Sequence, residues 1–483
     1  MLGVSVGRRR LNLKSLNVLG LWILQRKQSI VSVSSSFSRA RAPLDMAAKD
    51  GELRVFIVAG EVSGDSIASR LMASLKNLSP FPVRFAGVGG NKMSSEGLKS
   101  SFPMEDISFM GIWELLPYLY TIRVKLKETV EAAAKFDPHV VLTVDSKGFS
   151  FRFLKQLRAR YNQKKLPSPV HFHYVAPSFW AWKGGEARLR GLAEFVDQLL
   201  CILPNEAEIC RLNGLAATFV GHPVIEDVLE LKSRNKSSAL ELRAEGSGED
   251  FRSKHAVPSG ATVISLLPGS RVQEVTRMLP IFANTVELLK ETFPRLMTVI
   301  HVASNQNVED YIAAAVHKWP VPVILIPGGS TNLKYDAFSA SRVALCTSGT
   351  AALELQLART PCVVAYRAHI LTEWFIRYKA KIQYISLPNV LLNSAIIPEA
   401  LFQSCSPGNL ASLVKNLMHD DGCQKEQIVA AEKVFILLRP SERIVHNMHQ
   451  GSIINLHCTP SAVAALTVLN YGRQNSVINY GKP

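Results

Sequence analysis

Apolar residues along this chain gather in short runs, each closed by a polar turn and followed by a stretch in which apolar positions return every three or four residues. The first run is Leu53–Ala59. It ends in Gly60-Glu-Val-Ser-Gly-Asp65 and opens a helical pattern through Leu71 and Leu75. Equivalent runs recur at Val83–Val88, Val140–Val144, Val170–Val175 and Gln198–Leu203, and, after a polar stretch from Lys232 to Gly260, at Thr262–Leu267, Leu296–Val302, Val321–Ile326, Val343–Cys346 and Cys362–Tyr366. Runs apolar on both faces, alternating with helical patterns, predict parallel strands covered by helices on each side. The class is therefore α/β: two doubly wound parallel-sheet domains, over 50–231 and 261–440, joined by a linker at 232–260 and followed by a tail at 441–483. Ligands of such sheets bind beyond the carboxyl ends of the strands, so the two domains are expected to face one another across a cleft. No internal sequence repeat accompanies the recurrence.

Charge changes this picture less than its size suggests. The 483 residues carry a net +16, but residues 1–44 hold eight Lys and Arg with no Asp or Glu, leaving +8 on the rest. That remainder suits an anionic substrate or membrane surface, and no DNA- or RNA-binding signature accompanies it, so no nucleic-acid partner is expected. The first 44 residues are rich in Arg and Ser, with Leu11, Leu13, Leu16 and Leu19 able to line one side of a basic helix. They read as a mitochondrial presequence, with a basic tail or a secretory signal built on Val18–Leu24 as the other readings. No other apolar run is long enough to span a membrane. Seven cysteines without a CxxC pair indicate neither a disulfide framework nor a zinc site, so no metal or other cofactor is expected.

Two turns carry the most chemistry. Leu266-Leu-Pro-Gly-Ser-Arg271 and Thr347-Ser-Gly-Thr-Ala-Ala-Leu-Glu354 both read as a strand ending in a tight turn that opens a helix. There backbone N–H groups and the helix dipole hold an anion. Neither is a Walker loop or a dinucleotide fingerprint, and two such turns in one half suggest a nucleoside diphosphate. Ser270, Ser348, Gly349 and Thr350 would face the phosphates, Arg271 would clamp them and stabilise a departing nucleotide, Glu354 would accept from ribose hydroxyls, and Asn389 would read a uracil edge or a phosphate. No Asp-x-Asp pair is present to hold a metal against the diphosphate.

In the first half, Asp145 ends a hydrophobic strand, where partial burial raises a carboxylate's pKa and makes it a usable base; the plainer reading is a helix cap. Glu61, Ser63 and Asp65 occupy the equivalent place after the first run, as cleft residues or caps. Trp180, beside a Pro turn, is core or cleft mouth, and His222 reads as a hinge hydrogen-bonder. Segment 107–120, with Phe109, Met110 and Trp113 followed by Arg123, Lys125 and Lys127, fits a membrane contact or acyl-chain groove, or else a buried helix.

Taken in order, Ala59-Gly-Glu-Val-Ser-Gly-Asp65, Gly87-Val-Gly-Gly90, Phe109-Met-Gly111, Pro177-Ser-Phe-Trp-Ala-Trp182, Val220-Gly-His-Pro223, Leu267-Pro-Gly-Ser-Arg271, Ser348-Gly-Thr350 with Glu354, and Leu387-Pro-Asn389 resemble the lipid-A-disaccharide synthase family. The resemblance spans about Leu53 to Pro440. It implies the GT-B architecture, two Rossmann-like domains facing a cleft, and an inverting transfer of 2,3-diacylglucosamine from UDP to 2,3-diacylglucosamine 1-phosphate. UDP-diacylglucosamine and that acceptor are then the substrates, with peripheral membrane contact and a homodimer as further expectations. The chain departs from the family at Asp145-Ser-Lys-Gly-Phe-Ser150, where the family's second carboxylate and Asn are replaced and Lys147 is added, and at Leu203-Pro-Asn-Glu206, where Asn205 stands for the usual Phe. The rival readings are another UDP-sugar enzyme, such as a murein-type glycosyltransferase or a 2-epimerase, and a catalytically silent lipid- or nucleotide-binding protein.

Overall fold

A computed structural model describes residues 42–107, 119–235, 246–347, 349–368, 370–440 and 459–473. Its strands form two six-stranded sheets. The first has the order β2-β1-β3-β4-β5-β6, from Val83–Val88, Leu53–Ala59, Val140–Val144, Val170–Tyr174, Gln198–Cys201 and Ala217–Phe219; the second has β12-β11-β10-β7-β8-β9, from Glu399–Leu401, Cys362–Tyr366, Val343–Cys346, Thr262–Leu267, Leu296–His301 and Val323–Ile326. All neighbouring strands are parallel. The α/β class and the doubly wound arrangement expected from the apolar runs are thus observed.

Strand β1 shows why the pattern was readable. Val55, Ile57 and Ala59 enter one core and Phe56 and Val58 the other, so a strand with period-two side chains is apolar throughout because both its faces are covered. Helix Val62–Leu78 covers the first face, and helices Leu119–Phe136 and Lys147–Gln163 the second.

Three segments differ from the sequence pattern. Within the polar stretch 232–260, helix Val224–Asn235 continues past 231, and a further helix, Gly248–Lys254, docks through the single buried Phe251. Near the end of the chain, helix Pro460–Leu469 packs in the core of the first lobe through Val463, Ala464, Ala465, Val468 and Leu469, with Ser74 Oγ donating to Ser461 Oγ at 2.9 Å. Near its start, helix Pro43–Asp50 places Leu44 and Ala47 in that same core. The two lobes share apolar surface through helix Val224–Asn235, whose Val224, Ile225, Val228 and Leu231 pack with Leu267, Tyr335 and Phe338 of the second lobe. Among the described residues no helix is long and apolar enough to cross a membrane.

Candidate active site

The loops after β1, β3, β7 and β10 leave their sheets at carboxyl ends. After β1, Glu61 takes an extended backbone as N-cap of helix Val62–Leu78. The loops after β1 and β3 are pressed together: a Cβ on Gly60 would come within 2.6 Å of Ser146 Oγ. Asp145 and Ser146 are consecutively left-handed, with φ 52° and 44°. Such a pair of non-glycine residues is strained, as at many functional sites. It is held by the Asp145 N–H donating to Tyr174 O at 3.0 Å and by Ser150 Oγ donating to Asp145 O at 2.8 Å. Ser150 is the residue that replaces the family's Asn, so its hydroxyl supports the turn. At Gly148, where the family has its second acid, an added Cβ would meet only Arg152 Nη1 at 3.8 Å.

Charged groups of both lobes lie within electrostatic range of one another. Burial pushes the Glu61 carboxyl up to about 7; the charge of Asp145 adds to the rise, while Arg271 and Lys147 oppose it. Burial also raises Asp145, against a hydrogen bond from the Ser146 N–H and the attraction of Lys147 and Arg271. Two carboxyls of the first lobe and a guanidinium of the second therefore sense one another across the cleft. Lys147 is exposed beside them, its Nζ 5.9 Å from the centre of the Phe179 ring.

The two turns of the second lobe each leave a strand and open a helix. Gly269 has φ 121°, and the turn it makes brings the Ser270 N–H to Glu274 Oε2 at 3.3 Å while Arg271 Nη1 meets Glu274 Oε1 at 3.2 Å. A carboxylate thus already sits at donors a phosphate would use, at the N-terminus of helix Val272–Lys290. Gly349 has φ 66° and caps helix Thr350–Leu357; a Cβ there would meet nothing within 4 Å, so the constraint is conformational. Thr350 is exposed. Glu354, largely buried, accepts from Lys334 Nζ at 2.7 Å. Nothing in the sequence pattern singled out Lys334, which lies on the next helix up the chain, Thr331–Ala340; the partner of Glu354 becomes visible only in the fold.

Other sequence-stated candidates fall elsewhere. Asn389 is engaged within the second lobe's own hydrogen bonds. It is fully buried; its Nδ2 donates to Ile397 O and Glu399 Oε1, and its Oδ1 accepts from Ile396 N and Ile397 N, which uses its whole hydrogen-bonding capacity. Asp65 likewise turns away from the cleft: buried, it accepts from the N–H groups of Gly90, Lys92 and Met93 and so caps the short helix Asn91–Ser95. Ser63 is exposed on the first turn of its helix. Trp180 is half-buried at the seam, packed against the second lobe's core and donating from Nε1 to Glu206 Oε1 at 3.1 Å. Burial pushes Glu206 up to about 7. With Asn205, Lys381, Tyr384 and Val390, Trp180 lines an open cavity of about 330 Å³. His222 is buried, accepting the Val224 N–H at Nδ1, as expected of a hinge residue. Phe109, Met110, Trp113 and Ser348 lie outside the described residues.

Residues 55–451 match the family described as lipid-A-disaccharide synthetase. The chain is 62% identical over 442 residues to "Probable lipid-A-disaccharide synthase, mitochondrial" of Arabidopsis thaliana, covering 91% of this chain and 95% of the relative. It is 41% identical over 382 residues to the lipid-A-disaccharide synthase of Rhodospirillum centenum, covering 79% and 89%. Among solved structures, it resembles a UDP-GlcNAc 2-epimerase from Neisseria meningitidis (TM-score 0.53, 13% identity, 80% of this chain and 98% of that one) and a glycosyltransferase from Rickettsia africae (TM-score 0.51, 11% identity, 88% and 100%). At those identities the two structures speak for the fold alone, whereas the sequence matches run through the loops after β1, β3, β7 and β10, and on their strength this chain belongs to the lipid-A-disaccharide synthase family.

Proposed function

We propose that the protein is a lipid-A-disaccharide synthase, joining UDP-2,3-diacylglucosamine to 2,3-diacylglucosamine 1-phosphate through a β-1,6 bond with release of UDP. The observation that carries the reading is that Asp145 and Glu61, after β3 and β1 of one lobe, lie within electrostatic range of Arg271, after β7 of the other. Asp145 takes the proton of the acceptor's 6-hydroxyl as that oxygen bonds to the anomeric carbon of the donor. The bond from that carbon to the diphosphate breaks on the opposite side, its electron pair leaving with UDP. Arg271 holds the charge growing on the diphosphate, with Ser270, Ser348, Gly349 and Thr350 supplying donors and Glu354 meeting the ribose. The alternative base is Glu61, since Asp65 in the same loop is occupied by the N–H groups of Gly90, Lys92 and Met93.

The leader and the name of the Arabidopsis relative support a mitochondrial site of action. Segment 107–120 supplies peripheral membrane contact, and the protein acts as a homodimer. Incubation of the purified protein with the acylated donor and acceptor, followed by mass spectrometry, tests the chemistry: equimolar UDP and disaccharide 1-phosphate are expected. UDP binding without turnover would mark a silent binding protein, and free sugar epimers a 2-epimerase.

A further inference from the structure

Helix Ile370–Lys379 follows β11 and so stands at the carboxyl end of the second sheet, the same end as the turns of Arg271 and Gly349. Its last turn is sewn to the first lobe. The Lys183 N–H donates to Lys379 O and the Lys381 N–H to Ala181 O, both at 2.8 Å; Lys183 Nζ donates to Tyr378 O at 2.9 Å; and the rings of Trp182 and Phe375 lie 6.0 Å apart.

A helix facing only water would present polar residues. This one presents Trp374, Phe375 and Tyr378, exposed to 69%, 50% and 61%. Trp374 and Tyr378, one turn apart, stack with ring centres 5.9 Å apart and planes 6° apart, making a flat aromatic plate. Cations rim it: Lys183 Nζ and Lys379 Nζ lie 5.7 and 5.5 Å from the Tyr378 ring centre. The nearby acids are already engaged, Glu373 by Arg377 and Glu186 by Lys381, each at 2.8 Å. Among the described residues neither Lys183 nor Lys379 has a carboxylate partner, so the plate keeps a net positive rim.

Amphipathic aromatic rings beside uncompensated lysines match the interfacial zone of a bilayer bearing anionic headgroups. A symmetric contact with a second copy suits the face less, because a two-fold axis through it brings the same lysines against each other in the surroundings that bury the rings. We propose that the face formed by Trp374, Phe375 and Tyr378 with Lys183 and Lys379 docks on an anionic lipid bilayer, which would hold the mouth of the cleft at the membrane surface. This face is separate from segment 107–120, and the inference does not depend on which sugar is transferred.

The test uses the full chain with vesicles of phosphatidylcholine, with and without phosphatidylglycerol, some carrying brominated acyl chains. Binding should require the anionic lipid, and bromine should quench tryptophan emission of the wild type more than that of Trp374→Phe, a variant that keeps the apolar surface. Lys183→Gln with Lys379→Gln should weaken binding roughly twenty-five-fold at low salt, on the scale of one basic residue near an anionic surface being worth about fivefold. Thermal melting reports whether these exposed substitutions leave the fold intact. Equal quenching in wild type and Trp374→Phe overturns the proposal. So does vesicle binding that ignores both lysines, or a loss of self-association in the variants with binding to vesicles unchanged.

Discussion

Replacing Asp145 by Asn perturbs the proposed base with little disturbance of its surroundings. Asn tolerates the left-handed backbone at φ 52° as well as Asp does, and the bonds that fix the turn, to Tyr174 O and from Ser150 Oγ, are made by the main chain. The amide oxygen can still accept from the Ser146 N–H that now supports the carboxylate. Stability should therefore move by no more than about 0.5 kcal/mol. Turnover should fall by about two to four powers of ten, the usual worth of a positioned base. UDP affinity should hold, since its proposed contacts lie on the second lobe. A second readout comes from Glu61. Its pKa of about 7 owes part of its elevation to the Asp145 charge, so a neutral Asn should let it fall toward the ordinary 4.5 while burial keeps it above that value. Carbon NMR titration of glutamate-labelled protein, assigned through Glu61→Gln, reads that movement. If Asp145→Asn keeps high turnover while melting the protein or losing UDP, Asp145 is a structural cap and the base is Glu61; an unmoved Glu61 titration would show that the two carboxyls do not face each other.

Arg271→Ala should lower turnover by roughly two to three powers of ten, and Arg271→Lys should recover only part of it, because a point charge cannot replace a two-pronged clamp; near-normal steady-state rates for the alanine variant would remove Arg271 from the site. Asn389→Ala takes the side-chain partner from the Ile396 and Ile397 N–H groups and from the Ile397 carbonyl, while Glu399 Oε1 keeps its bonds from Ser386, so denaturant melts should show about 2–4 kcal/mol lost; an intact melt with lost UDP binding would instead return Asn389 to the nucleotide. A fluorescent fusion of residues 1–44 should enter mitochondria and cease to do so when Arg8, Arg9 and Arg10 become Glu. Mass spectrometry of the processed protein should find a new N-terminus at or before Ala42, because Leu44 is core and its loss as a side chain costs about 2–4 kcal/mol; cleavage beyond Leu44 in a stable protein would contradict that packing.

The strands were legible because parallel sheets covered by helices demand side chains apolar on both faces. What the pattern hid has equally physical reasons. Strands β6 and β12 are three residues long and sit at sheet edges, too short for any run to mark them. Helix Pro460–Leu469 has all ten residues buried, so it lacks the polar stripe that identifies an amphipathic helix and passes for undirected small apolar sequence. At the candidate site, the positions of Asp145, Glu61 and Arg271 just after strands were readable. Asp65 and Asn389 stood in equally suggestive places, but whether a polar side chain meets a ligand or its own backbone depends on which N–H groups surround it, and those come from residues 25 to 28 and 7 to 8 positions further along the chain. Lys334 carries no motif at all; its importance comes only from lying against Glu354.

With Asp145 as the proposed base and Arg271 as the proposed diphosphate contact, the opposing influences on Asp145 would give donor binding a role beyond positioning. Burial raises its pKa, and Arg271 is one of the charges that pull it back down. When a diphosphate meets Arg271, its negative charge cancels that pull and adds repulsion of its own, so the Asp145 pKa must rise on binding, and the same sign applies to Glu61, which Arg271 also lowers. A base strengthened only when the donor is seated would accept the acceptor's proton with a leaving group already in place, and would be weaker in the empty enzyme. The acid limb of the pH profile should then lie higher under saturating donor than under limiting donor, with acceptor held saturating in both. In Arg271→Ala the pull is absent from the start, so the two limbs should draw together as residual activity is followed. Coincident limbs in the wild type, or a limb that moves down on saturation, would mean that the guanidinium and the carboxylate are not coupled through the bound nucleotide, and Arg271 would then act on the leaving group alone.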